Sequence, residues 1–523
     1  MSDSSATSSP DARPKFSPIT LGLFAILLAD VWGYAAQTLG VTLQSGGIPV
    51  FIYASLGVSL GLSILCVTLA EFASAHPSTA GCTFLATHLS GPSWGPAMGF
   101  ATGGLHTLGA LLTPAALTIS AAHVISTIAN VMHPDWHHER WQIFLIYQCL
   151  VLLYGLMMGR ASKFLNIVSN AGVFCTLALL VIIIGLLLGL RQPSNIDRAH
   201  FVWTDIANST GWPNSLAVVI GLTGPLYAYG PVHWLLSMAD EVESPRRTIP
   251  IAMIYQQVGN TIILTCFYIA AGYAVNNWGA IVASTYPSPI AAVLEQSLQS
   301  QGGVLAIMIC LLVPLTLGKV SYIFVCVRLA LGFIQTGAVP FSQPLTKVNP
   351  QTNIPTRLLW LSTLITSLIG LIYVASDIGF TIITSSCFLL YAMGYVPLLA
   401  GYLLTSGRYL DSPSSSNSGG AYFRLPRPIS LLFAALSLAV VCLQCIVYCI
   451  PPAYPITMEG MNWSCVIGGV LAGLLVICWY AYGKARYVGV SSAFGEEAVE
   501  GREAWVGGGG EDGEGIVSEQ KGA

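Results

Sequence analysis

Two charged side chains interrupt long apolar runs of this sequence and are the groups best placed to do chemistry. Asp30 lies in the first apolar run, and Lys319 lies in a later one, nine residues before Arg328. A charge near the centre of a membrane helix costs roughly 2.5–3.5 kcal/mol, so it normally has a partner or a function. Lys319 would lie roughly 13 Å deeper than Arg328. We predict that Asp30 and Lys319 face each other, either as a proton- or cation-coupling site or as a static bridge.

A second feature is the apolar run over residues 214–250, which carries two Gly-Pro pairs, Gly224-Pro225 and Gly230-Pro231, before its first charge at Asp240. Each proline removes a backbone donor and clashes with the preceding turn, which disfavours a continuous helix. In lipid, irregular backbone persists only where protein buries it or a watery cavity faces it. Interrupted spans of this kind hold the substrate in many secondary transporters. The alternative is a proline kink without a ligand.

Side chains near these features could bind a solute. A neutral His233 could hydrogen-bond a carboxylate or hydroxyl, or it could simply be satisfied by a neighbour. Aromatic walls suit a cationic or amphipathic ligand, although the same rings could serve only packing. His106 and His123 are interpreted as structural. The candidate solute-binding residues are Asp30, Trp32, Gly33, Tyr34, Gly224, Tyr227, Tyr229, Gly230 and His233.

Composition places the chain in a membrane. Of its 523 residues 54% are hydrophobic and only 8% charged, with a mean hydropathy of +0.70. Soluble domains are near 25% charged, so we predict an all-α, multi-pass membrane protein in a lipid bilayer. No basic stripe suggests nucleic acid, and no cysteine or histidine spacing suggests a metal or other cofactor. Twelve apolar runs of spanning length are predicted at about 18–43, 49–72, 92–130, 143–159, 164–190, 214–240, 250–275, 302–335, 357–375, 378–404, 429–450 and 462–482.

The basic residues orient these spans. With both termini in the cytosol, and leaving out residues embedded in helices or in the distal tail, thirteen lysines and arginines fall on the cytosolic side and three on the other. That asymmetry is the one expected of cytoplasmic loops. The thirteen are Arg13, Lys15, Arg160, Lys163, Arg246, Arg247, Lys347, Arg357, Arg408, Arg424, Arg427, Lys484 and Arg486, and the three are Arg140, Arg191 and Arg198.

Charged residues also gather at the predicted cytosolic helix ends. They could form an ion-pair network that closes a cytosolic gate, or they could be separate charged side chains that snorkel to the membrane interface. The candidate gate residues are Glu71, Asp240, Glu241, Arg246, Arg247 and Arg328. Beyond the spans, residues 1–17 and the Gly-rich acidic segment 483–523 are predicted to be disordered cytosolic tails.

Four stretches together resemble a known group of proteins. They are Ser45-Gly46-Gly47, Ala70-Glu71-Phe72-Ala73-Ser74-Ala75-His76-Pro77-Ser78-Thr79-Ala80-Gly81, Asp240-Glu241-Val242-Glu243-Ser244-Pro245-Arg246-Arg247-Thr248-Ile249-Pro250, and Arg328-Leu329-Ala330 with Val339-Pro340-Phe341-Ser342. In this order and on these sides of the membrane, they resemble the amino acid–polyamine–organocation superfamily, specifically the fungal amino acid/choline family that includes GABA and choline permeases. The resemblance runs from about residue 16 to 486.

The resemblance implies a five-plus-five inverted repeat with two peripheral helices. Repeat one would cover about 18–190, repeat two about 214–404, and the peripheral helices about 429–482, within a transporter domain of 18–482. Spans 1 and 6 would be discontinuous, and their helix N-termini would bind a substrate carboxylate if there is one. Lys319 could stand in for the cation that relatives bind between spans 1 and 8.

The sequence departs from the family pattern where substrate is chosen. The family's Asn-Ser-Trp-x-Gly-like run in span 1 is replaced here by Asp30-Val31-Trp32-Gly33-Tyr34, with the glycine one place early. In span 6 the aromatic-Asp and His-Met-x-Glu-Glu pattern becomes Val232-His233 and Ser237-Met238-Ala239-Asp240-Glu241. The substrates of the family therefore cannot be carried over directly.

The sequence favours a permease. We expect a secondary active transporter that moves a small amino acid, GABA-like or choline-like solute by alternating access, with protons as the coupling ion. We expect it in the plasma membrane, with the vacuolar membrane as the alternative. A non-transporting nutrient sensor with the same fold remains open, as does an integral-membrane enzyme, although no nucleophile–base arrangement indicates one.

Overall fold

The structure, a computed structural model, describes residues 16–136, 139–161, 165–191, 197–340, 342–349, 354–375, 379–411, 421–457 and 460–487. Most of both predicted disordered tails therefore lies outside the described residues. One residue at the inner end of each tail makes a tertiary contact. The Phe16 amide donates to the Glu241 carbonyl at 2.9 Å, and Tyr487 is buried against Phe100 and Phe333.

The described residues are almost entirely helical. The first half contains, in chain order, α1 (Pro18–Ala29), α2 (Val31–Gln44), β1 (Ser45–Gly46), α3 (Gly47–Ala75), α4 (Cys82–Leu89), α5 (Gly91–Met132), α6 (Arg140–Ala161), α7 (Leu165–Gly189), α8 (Arg198–Trp203) and β2 (Ala207–Asn208). The two strands form a short antiparallel pair, with Ser45 opposite Asn208, so the end of the first span is tied to the loop before the sixth.

The second half contains α9 (Asn214–Gly221), α10 (Thr223–Tyr229), a 3-10 helix (Val232–Glu241), α11 (Pro245–Ala274), α12 (Trp278–Val282), α13 (Ile290–Leu298), α14 (Gln301–Ile334), α15 (Ser342–Thr346), α16 (Thr356–Ile369), α17 (Leu371–Ala375), α18 (Gly379–Leu404), a 3-10 helix (Arg408–Asp411), α19 (Arg427–Cys449), α20 (Ser464–Cys478), a π-helix (Trp479–Gly483) and α21 (Lys484–Arg486).

These helices account for the twelve predicted spans. Eleven segments of the described chain are long and apolar enough to cross a membrane. The remaining predicted span, the seventh, is α11. This 30-residue helix is long enough to cross a membrane, but its sequence is more polar than the other spans because it contains Gln256, Gln257 and Asn260, all of which are buried. In chain order the spans are α1–α2, α3, α5, α6, α7, α9–α10 with its 3-10 helix, α11, α14, α16–α17, α18, α19 and α20 with its extensions.

The packing follows the five-plus-five scheme. In an inverted repeat of this kind, spans 3 and 5 correspond to spans 8 and 10. Accordingly, α5 packs along α18, and α14 packs along α7. Spans that correspond to each other in the two repeats also meet: α3 (span 2) packs along α11 (span 7), and α5 (span 3) packs along α14 (span 8). The fold is therefore a helical membrane bundle in which span 1 packs against spans 5, 7 and 8, and span 6 packs against spans 1, 2, 7 and 8.

Candidate functional site

The first span is broken at Asp30, whose backbone is left-handed with φ 42° and ψ 46°. The helical hydrogen bonds that would cross it, from the amides of residues 31–33 to the carbonyls of residues 27–29, are not formed. The left-handed conformation costs most residues roughly 1–2 kcal/mol, and aspartate is one of the few that visits it. The break exposes polar backbone within the span, as predicted for a discontinuous first helix.

The Asp30 carboxylate lies over the first turn of α2. A Cβ added to Gly33 would lie 2.5 and 2.7 Å from the two carboxylate oxygens. The whole residue is 8% exposed, so this carboxylate is enclosed by protein. The position of the Asp30 side chain therefore requires a glycine at residue 33. This explains why the glycine stands one place earlier here than in the family pattern.

The sixth span is broken at Gly230, which has φ 65° and ψ 168°. Pro231 follows in an extended conformation, and the chain then continues as the 3-10 helix from Val232. The other Gly-Pro pair, Gly224-Pro225, interrupts the helix only at Leu222, between α9 and α10. The prediction of a discontinuous sixth helix is thus confirmed at the second pair, whereas the first pair gives only a one-residue interruption.

The two breaks face each other. A Cβ added to Gly230 would lie 3.7 Å from the Ala29 Cα and 3.3 Å from the Trp234 ring. The Trp234 ring in turn packs edge-on against Tyr322 of α14, with centroids 4.5 Å apart. The irregular backbone of both spans therefore meets in one place, next to the eighth span.

Several buried polar atoms around the breaks have no hydrogen-bond partner. They are Trp32 Nε1, Tyr34 Oη, His233 Nε2, Trp234 Nε1 and Lys319 Nζ. Buried polar groups are normally satisfied, and a group of unsatisfied ones indicates a place for a ligand or water. These atoms come from the two broken spans and from the eighth span, next to which the breaks meet.

Lys319 lies close to the first break but does not contact Asp30. Its side chain is buried, and the neighbouring Gly318 lies against the Leu27 carbonyl, 3.5 Å from where its Cβ would be. The ammonium and the Asp30 carboxylate are within electrostatic reach of each other. No hydrogen bond joins them, because the Lys319 ammonium has no hydrogen-bond partner. The role of the two groups in coupling stays a prediction.

His233 belongs to a stacked histidine pair. Its Nδ1 lies 2.7 Å from the Tyr395 hydroxyl, and its ring stacks on His106 of α5 with centroids 4.0 Å apart. His106 Nε2 lies 3.2 Å from the Tyr391 carbonyl. His106 was interpreted as structural from sequence, and no local pattern indicated this contact because the two rings lie on different spans.

Three predicted residues of the sixth span serve packing. The Tyr227 hydroxyl lies 2.5 Å from Ser385 Oγ, and the Tyr229 hydroxyl donates to the Ser55 carbonyl at 3.3 Å. Gly224 allows a close approach to Thr42, since an added Cβ would lie 2.1 Å from its Oγ1. The two hydroxyls therefore have partners within the protein, and the Tyr227 ring packs on Phe388, as the Tyr34 ring does.

A small cavity adjoins the sixth-span break on its other side. Its lining includes Gly230, Pro231, Tyr391 and Tyr395, together with Gln444 of α19. The Tyr391 hydroxyl also bonds Thr113 Oγ1 at 2.9 Å and the Tyr322 hydroxyl at 3.0 Å. Residues of the tenth span thus contribute to the site, although the sequence had suggested only spans 1, 6 and 8.

At the predicted cytosolic end, the structure joins two of the six candidate gate residues directly. Arg328 of α14 pairs with Glu241 at 2.5 Å, at the end of the sixth span. The guanidinium of Arg247 lies 5.3 Å from the Tyr422 ring, and Asp240 is exposed. The Glu241–Arg328 pair therefore connects the end of span 6 to span 8; its role as a gate stays a prediction.

Glu71 has different partners from those predicted. Its carboxylate accepts hydrogen bonds from the Leu425 amide at 3.0 Å and from the Ser430 hydroxyl at 2.7 Å, on the segment that enters α19.

Two histidines lie outside the spans, after α3 and in α4. Burial lowers the pKa of the His76 imidazole, and the positive charge of Arg246 lowers it further. Burial also lowers the pKa of His88 to about 4, and His76 contributes to that shift. We expect these two rings to be neutral at neutral pH.

The Glu241–Arg328 pair gives a testable prediction. Arg328→Glu and Glu241→Arg should each reduce the initial uptake rate by about tenfold, because like charges would oppose closure of the cytosolic side. The double exchange should recover a large part of the rate, measured in vesicles. Arg408→Gln, which changes an exposed arginine, is the matched control. Equal loss in the single and double variants would contradict a gating pair.

Two broken spans that expose backbone to each other inside a helical membrane bundle are the arrangement typical of secondary transporters. No group of three or more metal-ligating side chains is arranged for a metal ion in the part of the chain that the structure describes. The chain belongs to the amino acid permease family, whose family model matches residues 20–471. It is a multi-pass membrane transporter.

Individual relatives cover nearly the whole chain. The choline transporter of Saccharomyces cerevisiae is 24% identical over 473 residues, which are 90% of this chain and 82% of that protein. An uncharacterized amino-acid permease of Schizosaccharomyces pombe is 22% identical over 480 residues, 90% and 84% of the two chains. A putative amino acid/polyamine transporter of Macrophomina phaseolina is 23% identical over 453 residues, 84% and 96%.

Proposed function

We propose that this protein is a secondary active transporter that moves a small amino acid or quaternary amine by alternating access, driven by protons. The observation that carries the proposal is the meeting of the two broken spans, whose own residues include buried polar atoms without a hydrogen-bond partner. Groups that cost free energy when left unsatisfied are retained where a ligand satisfies them during function.

The electrostatics of the first break support coupling to a cation. Asp30 and Lys319 are two buried opposite charges, held on spans 1 and 8 without a contact ion pair. Protonation of Asp30 would remove the attraction and change the relative stability of the two span arrangements. In this proposal the proton binds Asp30, and the solute binds between the breaks.

Access from the cytosol is proposed to be controlled by the Glu241–Arg328 pair. Opening that side separates spans 6 and 8 and breaks this pair, while the β1–β2 contact ties the other end of span 1. The distribution of lysine and arginine supports the proposal that both termini are in the cytosol. We propose the plasma membrane as the location, with the vacuolar membrane as the alternative.

Uptake into proteoliposomes tests the proposal. Labelled amino acids, GABA, choline and polyamines are offered to the purified full chain with an inward proton gradient imposed. We expect at least one to accumulate, and collapse of the gradient by an ionophore to abolish accumulation. Solute binding without flux favours a sensor, formation of a new product favours an enzyme, and gradient-independent flux contradicts proton coupling.

A further inference from the structure

We propose that an ordered water molecule binds in the small cavity beside the sixth-span break, and that Gln444 of α19 holds it there. Through this water the peripheral span 11 positions the broken backbone of span 6. The water site goes beyond the proposed function and does not depend on it, whereas its expected effect on uptake rests on that function.

Three polar side chains lie on one buried face of α19 at intervals of seven residues: Ser430, Ser437 and Gln444. Seven residues make roughly two helical turns, so these side chains lie one above the other. The first two bond to span 2. The Ser430 hydroxyl donates to the Glu71 carboxylate at 2.7 Å, and Ser437 Oγ lies 3.1 Å from Thr68 Oγ1. The contacts also show that α3 and α19 run in opposite directions.

Gln444 lies where span 2 offers only leucines. The residues of α3 that follow toward the outer side are Leu65 and Leu62, and both line the cavity together with Gln444. Gln444 is 7% exposed and makes no hydrogen bond within the part of the chain that the structure describes. A buried amide without a partner in a membrane span costs free energy. We therefore expect its partner to bind in the cavity.

The sixth span brings unpaired backbone to the same cavity. The half-helix α10 ends at Tyr229, Gly230 makes no capping hydrogen bond, and Pro231 has no amide hydrogen. Among the described residues, the carbonyls of residues 227–229 accept no hydrogen bond. Gly230 and Pro231 line the cavity. The open end of this half-helix and the glutamine of α19 thus border one small space.

The other polar side chains at the cavity include two tyrosines of α18 that already have partners. The Tyr395 hydroxyl bonds His233 Nδ1, and the Tyr391 hydroxyl bonds Thr113 and Tyr322. Each hydroxyl is engaged with the bundle interior, so neither is free to satisfy the amide of span 11.

The size of the cavity selects water. It leaves about 20 Å³ for the centre of a water molecule, where roughly 10–15 Å³ is enough for one water and a cavity that binds benzene is roughly 150 Å³. A buried water needs two to four polar partners. The Gln444 amide can both donate and accept, and the open end of α10 supplies acceptors. Tyr448 also lines the cavity, and its hydroxyl has no hydrogen bond among the described residues.

Hydrogen exchange of the purified full chain tests the role of Gln444 in holding the break. Gln444→Met keeps the length of the side chain and removes its hydrogen bonds, whereas Gln444→Asn shortens it and keeps the amide. We expect the amides around the sixth-span break to exchange about fivefold faster or more in Gln444→Met, and to stay within about twofold of wild type in Gln444→Asn. Unchanged exchange in Gln444→Met, or faster exchange in Gln444→Asn alone, would show a packing role and overturn the proposal.

Ser437→Ala is the matched control, because it removes a polar group from the same face of α19. This variant loses a bond to Thr68 and not to the break. We expect its melting temperature to fall while exchange at the break stays at the wild-type rate. Faster exchange at the break in Ser437→Ala as well would show that any loss of packing on span 11 has this effect, which contradicts a specific role of Gln444.

Two further measurements identify the ligand. In a density map that resolves ordered water, we expect a peak within hydrogen-bonding distance of the Gln444 amide, and a cavity without one contradicts the site. Carbonyl oxygens at broken spans also bind metal ions, so exchange is repeated with sodium, potassium or N-methylglucamine as the monovalent cation. Equal protection in all three is expected for water, and protection that requires sodium or potassium would overturn it.

Uptake separates this site from the proposed function. If the protein transports as proposed, Gln444→Met should lower the maximal uptake rate by about threefold or more with little change in KM, because Gln444 acts on the break through water. A wild-type protein without gradient-driven uptake contradicts only the proposed function. Wild-type exchange and wild-type uptake in Gln444→Met contradict only the water site.

Discussion

Replacing Lys319 by methionine should destabilise the folded protein by about 3 kcal/mol and abolish proton-driven accumulation. Removing one of two buried opposite charges leaves the other uncompensated, which typically costs about 3–5 kcal/mol. Asp30 is the carboxylate within electrostatic reach of Lys319, and both side chains are buried. The loss is measured as the decrease in apparent melting temperature in detergent, with uptake measured in proteoliposomes.

The double variant Asp30→Asn with Lys319→Met separates the two explanations of this pair. It should be more stable than Lys319→Met alone, because neither charge is then buried without the other. If the pair is a coupling site, the double variant should transport without dependence on the proton gradient. Retained gradient-driven accumulation in the double variant, or in Asp30→Asn alone, would show a static bridge that only fixes packing.

Replacing Gly230 by alanine should reduce transport by at least about tenfold and destabilise the protein by about 1–3 kcal/mol. The backbone of Gly230, at φ 65° and ψ 168°, is in a region that is essentially restricted to glycine. An added Cβ would also lie 3.3 Å from the Trp234 ring. We expect the variant to shift the break and move Trp234, so uptake and melting temperature should fall together.

Gly473→Ala is the matched control for Gly230→Ala. Gly473 lies in α20, and an added Cβ there would meet no atom within 4 Å. Alanine is also the better helix former, so stability should be unchanged or slightly higher. Wild-type uptake by Gly230→Ala would contradict the requirement for irregular backbone in the sixth span.

The site was only partly predictable from the sequence. Asp30 and Lys319 stood out because an isolated charge in an apolar run is rare, and both are buried near the breaks. Gly230 stood out because it precedes a proline. Tyr391 and Tyr395 did not, since aromatic residues are common in apolar spans and only their contacts across the bundle distinguish them.

The same limit applies to the predicted gate. Six charged residues were grouped because each lies at a cytosolic helix end, which is a property of position along the chain. The structure pairs Glu241 with Arg328, whereas Glu71 bonds the segment before α19. Which charges meet depends on how helix ends are arranged in the plane of the membrane, and sequence position does not encode that arrangement.

The sequence by itself determined the class of the protein, the order of its spans and a break in the sixth span at one of its two Gly-Pro pairs. The break in the first span was expected only from the resemblance to the permease family. Hydropathy, glycine and proline act locally, through transfer to lipid and backbone geometry, so their effects can be read along the chain. Only the tertiary structure decided that the Asp30 carboxylate lies over Gly33 and that His106 stacks on His233. Those contacts depend on side-chain direction and on packing between helices, which short-range patterns do not specify.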